Sequence, residues 1–195
     1  MPSGVPHFVG IETASRETWA FHPALALGLL QTEAYARALY ELAMPIEETT
    51  SEFIDRNVLV RLRRKEALTR DEQPLRLRAV LHGPAPRYVV GDPDVMRKQY
   101  EESAFVTPSA HALHERRKRS APDKQGRPLW ELAVADRYAV MRRTSEVGDP
   151  NATSLSDKPR EVGRSTRKFN ALTASALAPE DTPAFLQQPT REIAK

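Results

Sequence analysis

Few residues of this 195-residue chain have the type and spacing that chemistry asks for. His111-x-x-His114-Glu115 looks like half a metal site. Two ligands and a flanking acid do not close the four-coordinate shell of zinc, so neither a metal nor any other cofactor is expected. Glu47 and Glu48 are adjacent. Adjacent helix residues face different ways, so this pair reads as the solvated approach to a helix rather than a general acid and base. The run Arg116-Arg117-Lys118-Arg119 can hold phosphate without selectivity. No aromatic side chain lies nearby to stack on a base, and a solvated loop is the expectation. Phosphate-binding glycine loops and a Gly-x-Ser-x-Gly elbow are absent from the sequence, and no Ser, His and Asp spacing singles out a triad. The expectation is therefore not an enzyme. The alternative kept open is a small phosphate-handling enzyme or nuclease, whose groups converge in space and not in sequence.

Arginine offers the other candidate surface. Arg61 and Arg64 are three residues apart and share one helix face. Arg37 lies two residues beyond Tyr35, on a different face of the helix before. Planar guanidinium groups bind carboxylate or phosphate through paired donors. Tyr35, Arg37, Arg61 and Arg64 thus form a speculative contact surface for an acidic partner or anionic effector, with the Tyr35 hydroxyl outward. The competing reading is that the arginines pair with acids such as Glu33, Glu41 or Asp55 and fix helix packing. The two readings part on Arg64→Ala: one loses partner binding, the other thermal stability.

These residues need elements to hold them. Ile11 to Phe21 is read as a short helix with Trp19 and Phe21 as buried anchors, broken at His22-Pro23. Thr32 suits the N-cap position, and Tyr35, Leu39 and Leu42 recur at i, i+4 and i+7 in a helix from about Glu33 to Ala43, which Pro45 ends. A longer helix spans about 51–70, capped by Thr50 or Ser51, with Ile54, Val58, Leu62 and Leu68 on its stripe. Leu75, Leu77, Ala79 and Leu81 alternate with Arg76, Arg78, Val80 and His82, the period of a half-buried strand. Tyr88-Val89-Val90 is a second candidate strand. Asp92-Pro93 begins another helix, with Met96, Tyr100 and Ala104 on one side. Residues 107–128 have high charge and almost no apolar anchor and are expected to be mobile. Short strands at Leu129–Val134 and Tyr138–Met141 follow. A helix from about Glu161 to Leu177 presents Val162, Phe169, Leu172 and Ala176.

Composition narrows the class. Twenty-nine basic against 26 acidic residues leave a net charge of +3, a mixed surface rather than a nucleic-acid footprint. The absence of cysteine excludes disulfides and thiolate sites and fits a reducing cytoplasm. Neither a secretory leader nor a membrane span is expected. A mean hydropathy of −0.54 predicts exposed segments.

The string GLLQTEAYARAL, Gly28 to Leu39, resembles the "PGLLQT..YAR" motif of a domain of unknown function in GC-rich bacteria. That domain usually follows a helix-turn-helix in Xre-family, antitoxin-like transcriptional regulators. Glu12, Phe21 and Pro23 stand where the family tends to have Glu, an aromatic and Pro. Arg61, Arg64 and Leu68 in LVRLRRKEALTR are similar to its "R..RQ..L", and LRLRAVLHG to its "l.vvldE". Gly91, Met96 and Gln99 match "vGg..vM..QL", and FNALTASALAPEDTPAFL resembles "F..L...AL.p..S...I". The resemblance spans residues 11–103 and 161–187. Leu27 replaces a Pro, Lys65 a Gln, and His82-Gly83 a Glu. Residues 104–160 do not match, through divergence or a disrupted reading frame.

The fold expected is α+β: helices at both ends around a small central β-sheet, with a long, poorly ordered middle loop. Residues 1–195 are expected to form a single regulator effector- or partner-binding domain without a helix-turn-helix. The resemblance implies a regulatory role through a small companion protein or unknown effector, with a helix-turn-helix DNA-binding protein as a further partner. No specific DNA binding by this chain alone and no membrane contact are expected. An inactive remnant is the further alternative.

Overall fold

A computed structural model of the chain describes residues 12, 14–47, 50–83, 85–105, 130–135, 158–177, 181, 182 and 184–186. The elements run β1 (Glu17–His22), a 3₁₀ turn (Gly28–Leu30), α1 (Glu33–Glu47), α2 (Ser51–Glu66), β2 (Arg76–His82), a second 3₁₀ turn (Ala85–Arg87), α3 (Pro93–Phe105), β3 (Trp130–Ala135) and α4 (Pro159–Ala174). This is a mixed α+β fold, with helices towards both ends and a small parallel sheet between them. The expected mobile stretch at 107–128, the strand at 138–141, and the His111 and Arg116–Arg119 clusters lie outside the described residues.

The sheet has the order β1-β2-β3. Trp19 is opposite Arg78 and Phe21 opposite Val80 on one side; Leu77 is opposite Trp130 and Leu81 opposite Val134 on the other. The alternation in β2 sorts its side chains between two cores. Leu75, Leu77, Ala79 and Leu81 join Leu29, Leu30, Tyr35, Met96 and Tyr100 in the larger core, with α1 and α3. Val80 faces the other way and packs with Phe169 and Leu172 of α4 and with Phe21. A third cluster, Ala36, Ile54 and Val58 with Tyr40, Met44 and Leu62, joins α1 to α2.

The capping residues read from the sequence hold. The Thr32 hydroxyl accepts from Tyr35 N at 3.2 Å, Thr50 from Phe53 N at 3.2 Å, and Asp92 Oδ1 from Val95 N at 2.9 Å. Each satisfies one of the amide donors left free in a first helical turn.

Several expectations need correction. The helix read over Ile11–Phe21 is in fact strand β1 from Glu17 on, and Trp19 is 40% exposed rather than buried. The alternation of Thr18, Trp19, Ala20 and Phe21 suits a pleated edge strand, which a short helical window conceals. Pro45 does not end α1, which runs to Glu47. A proline in the last turn disturbs only a bond near the helix end, and Pro45 is exposed. Leu42, placed on the buried stripe, is exposed. Helix α2 stops at Glu66, where Ala67 N bonds back to Arg64 O and Lys65 O. Tyr88-Val89-Val90 is not a strand; it follows the second 3₁₀ turn, and only Val90 is buried. The partners of β2 are β1 and β3 instead. Helix α4 begins and ends slightly earlier than read, and Val162 on its face is largely exposed.

Candidate functional site

The turn Gly28–Leu30, where the motif begins, sits at the meeting point of four elements. It has no side-chain cap of its own, so its polar groups are satisfied from outside. Gln99, on the buried side of α3, reaches across. Its Oε1 accepts from Thr32 N at 2.8 Å, and its Nε2 donates to Leu30 O at 2.9 Å and to Ser103 Oγ at 3.0 Å. One amide thus bridges two backbone groups as a strand neighbour would.

Gln31 closes the other side. Its Nε2 donates to Ala26 O at 2.8 Å, and its Oε1 accepts from Arg61 Nη1 at 2.6 Å. The Arg61 Nε also donates to the Tyr40 hydroxyl at 3.0 Å, and its guanidinium lies 5.0 Å from the Tyr40 ring centre. Arg64 is held by both carboxylate oxygens of Glu12, at 2.6 and 3.0 Å. The two side chains are 17% and 4% exposed. Gly28 lies against both guanidinium groups: a Cβ there would stand 3.3 Å from Arg61 Nη1 and 3.6 Å from Arg64 Nη1. The lack of a side chain at Gly28 is what lets the turn rest on these arginines.

His22 fixes the approach to the turn. Its Nδ1 accepts from Ala24 N at 3.2 Å and Leu25 N at 2.9 Å. A nitrogen that accepts twice cannot also carry a proton. Burial, and then the positive charge of Arg61, hold the His22 pKa below its usual value.

The four residues singled out in the sequence thus have distinct settings. Arg61 and Arg64 are brought together, but towards the interior and onto protein acceptors. Tyr35 is buried, and its hydroxyl points inward and accepts from Ala26 N at 3.4 Å. Burial above all, with the Tyr88 phenol adding to it, raises the Tyr35 pKa against the opposing pull of the Ala26 hydrogen bond and Arg61. Arg37 stands apart on the surface, 2.7 Å from Asp55 and 3.9 Å from Glu33. The pairing with Asp55 and Glu33 is the one the packing reading named. The Glu12–Arg64 pair and the bridging role of Gln99 were not read from spacing. The available signal was a polar amide directly between Met96 and Tyr100 on an apolar helix face.

Beside this clasp, Tyr35, Met96, Gln99, Tyr100, Ser103 and Leu186 line a cavity of about 20 Å³, room for one water rather than a metabolite. Among the described residues no group of three or more His, Asp or Glu could hold a metal, and no helix is long and apolar enough to cross a membrane.

Exposed apolar side chains gather where α1 meets the loop before α3. Gly91 adopts φ +72°, and a Cβ there would approach Ala38 Cβ to 3.0 Å, so α1 and the loop before α3 touch closely. Around that contact Leu42, one turn beyond Ala38, is 57% exposed, and Tyr88 and Val89, just before Gly91, are 52% and 56% exposed.

The sequence matches a domain of unknown function, DUF5753, over residues 5–188. Neither a curated protein nor a solved structure matches the chain.

Proposed function

The chain belongs to the DUF5753 family, and from the resemblance carried by its GLLQTEAYAR motif we propose that it is a regulatory protein-interaction domain. It serves an Xre-type, antitoxin-like bacterial transcriptional regulator in the cytoplasm and binds a small companion protein. The observation that carries this reading is the apolar group Leu42, Tyr88 and Val89. Large apolar side chains exposed together around a rigid contact suit a docking surface. The clasp supports the reading in a second way. It commits Gln31, Arg61, Arg64 and Gln99 to holding the motif turn, so the motif makes a scaffold and the adjoining loop makes the contact. The resemblance supplies the kind of partner: a small protein encoded nearby, or a helix-turn-helix protein that reads DNA.

The test is direct titration of the purified chain against the products of its flanking genes and against a separate helix-turn-helix protein. One of them should bind, and Val89→Asp or Leu42→Asp should weaken it at least tenfold with melting unchanged. Binding by none, or binding indifferent to both substitutions, overturns the reading.

A further inference from the structure

Helix α4 carries a second surface, on the opposite face of the sheet. From Lys158 to Ala174 the chain has five cations and one acid, a larger surplus than the +3 of the whole chain. The helix is therefore strongly basic along its length. The acid, Glu161, faces Lys158 at 3.8 Å. Phe169 and Leu172 turn towards the sheet. Arg160, Arg164 and Arg167, all exposed, recur at i, i+4 and i+7 on the far side. At 1.5 Å per residue the row is about 10 Å long. Arg167 reaches back along it: its Nη1 lies 3.5 Å from where a Cβ on Gly163 would be.

We propose that this arginine row binds the phosphate backbone of nucleic acid without regard to sequence. The row lies between Ala171, Ala174 and Gly163, with no large apolar side chain among them. An acidic protein surface would meet charge there but no apolar centre to bury, which protein interfaces have. A phosphate backbone needs only charge at regular intervals, and guanidinium groups supply paired donors to phosphate. The contact adds to the partner-binding surface and does not depend on it. It also agrees with the expectation that this chain alone selects no DNA sequence.

The experiment is fluorescence anisotropy of the full chain with a labelled mixed-sequence DNA duplex across a salt series. Three phosphate contacts give a slope of log affinity against log salt of about −3, or about a twentyfold loss for a threefold rise in salt. R160Q/R164Q/R167Q should lose that slope and weaken binding at low salt at least tenfold, with circular dichroism and melting temperature unchanged. R160K/R164K/R167K should bind nearly as the parent does. R63Q, an exposed arginine on α2, should leave the slope as it was. No binding at low salt, parental binding by the triple glutamine variant, or an equal loss in R63Q overturns the proposal. Displacement of the duplex by poly-L-glutamate at equal charge overturns it in favour of an acidic protein partner.

Discussion

Helices α2 and α4 carry arginines at similar helical spacings and turn them in opposite directions. On α2, Arg61 and Arg64 point into the molecule and end on Gln31, Tyr40 and Glu12. On α4, Arg160, Arg164 and Arg167 point to solvent, opposite the side that packs on the sheet. Spacing says only that residues share a face. What that face meets is decided by the rest of the fold. Around α2 a turn without its own caps must have donors brought to it. Around α4 the sheet takes only the apolar side, and the charge is left outward.

The contrast is tested first by Arg64→Ala. It strands the Glu12 carboxylate, whose side chain is 4% exposed, and breaking such a buried pair should cost about 3 kcal/mol, measured by urea denaturation. A variant as stable as the parent, with partner binding lost, would return Arg64 to the contact surface. Gln99→Leu comes next. It leaves Thr32 N and Leu30 O without their partner, at about 2–3 kcal/mol. Gly91→Ala combines a left-handed backbone with a 3.0 Å approach to Ala38, and about 2 kcal/mol is expected.

A smaller effect follows from His22. Its pKa is lower in the folded chain than the usual 6.5, so the unfolded chain binds the proton more readily. The stabilisation is fully present above pH 6.5 and is lost as the pH falls from there towards the folded value. The melting temperature should drop over that acid range. Arg61→Gln should lessen the His22 contribution by removing a neighbouring positive charge. The smallest effect belongs to α4: R160Q/R164Q/R167Q should leave stability within about 0.5 kcal/mol of the parent and the pH profile untouched. A large destabilisation would mean that the outward row is structural after all.

Much of the fold was legible because it rests on local rules. Thr32, Thr50 and Asp92 announce their helices, and the alternation from Leu75 to Leu81 announces β2. Strand β1 was hidden because six residues of mixed polarity fit either period until β2 lies beside them. Tyr88-Val89-Val90 has β-forming residues but pairs with no strand among the described residues, and composition cannot show that. At the candidate site the resemblance named Glu12, Arg61, Arg64 and Gln99, but only the folded chain shows that they surround one turn. Whole-chain charge concealed the surface of α4, since a net +3 averages a strongly basic helix with a nearly neutral remainder.

The order of the sheet has a consequence for how the protein is made. Central strand β2 finds its first neighbour already synthesised in β1. Its second, β3, follows roughly fifty residues later, Leu77 pairing with Trp130. At ribosomal rates of about 5–20 residues per second, one edge of β2 stays open for about 3–10 seconds while the intervening chain emerges. The side chains exposed on that nascent edge include Leu77, Ala79, Val80 and Leu81, an apolar template for wrong strand pairing. Arg76 and Arg78 stand among them and place like charges on any two copies that meet. Arginines that end up in the central strand of the finished sheet would thus also oppose aggregation on polysomes, where identical unfinished chains are crowded together.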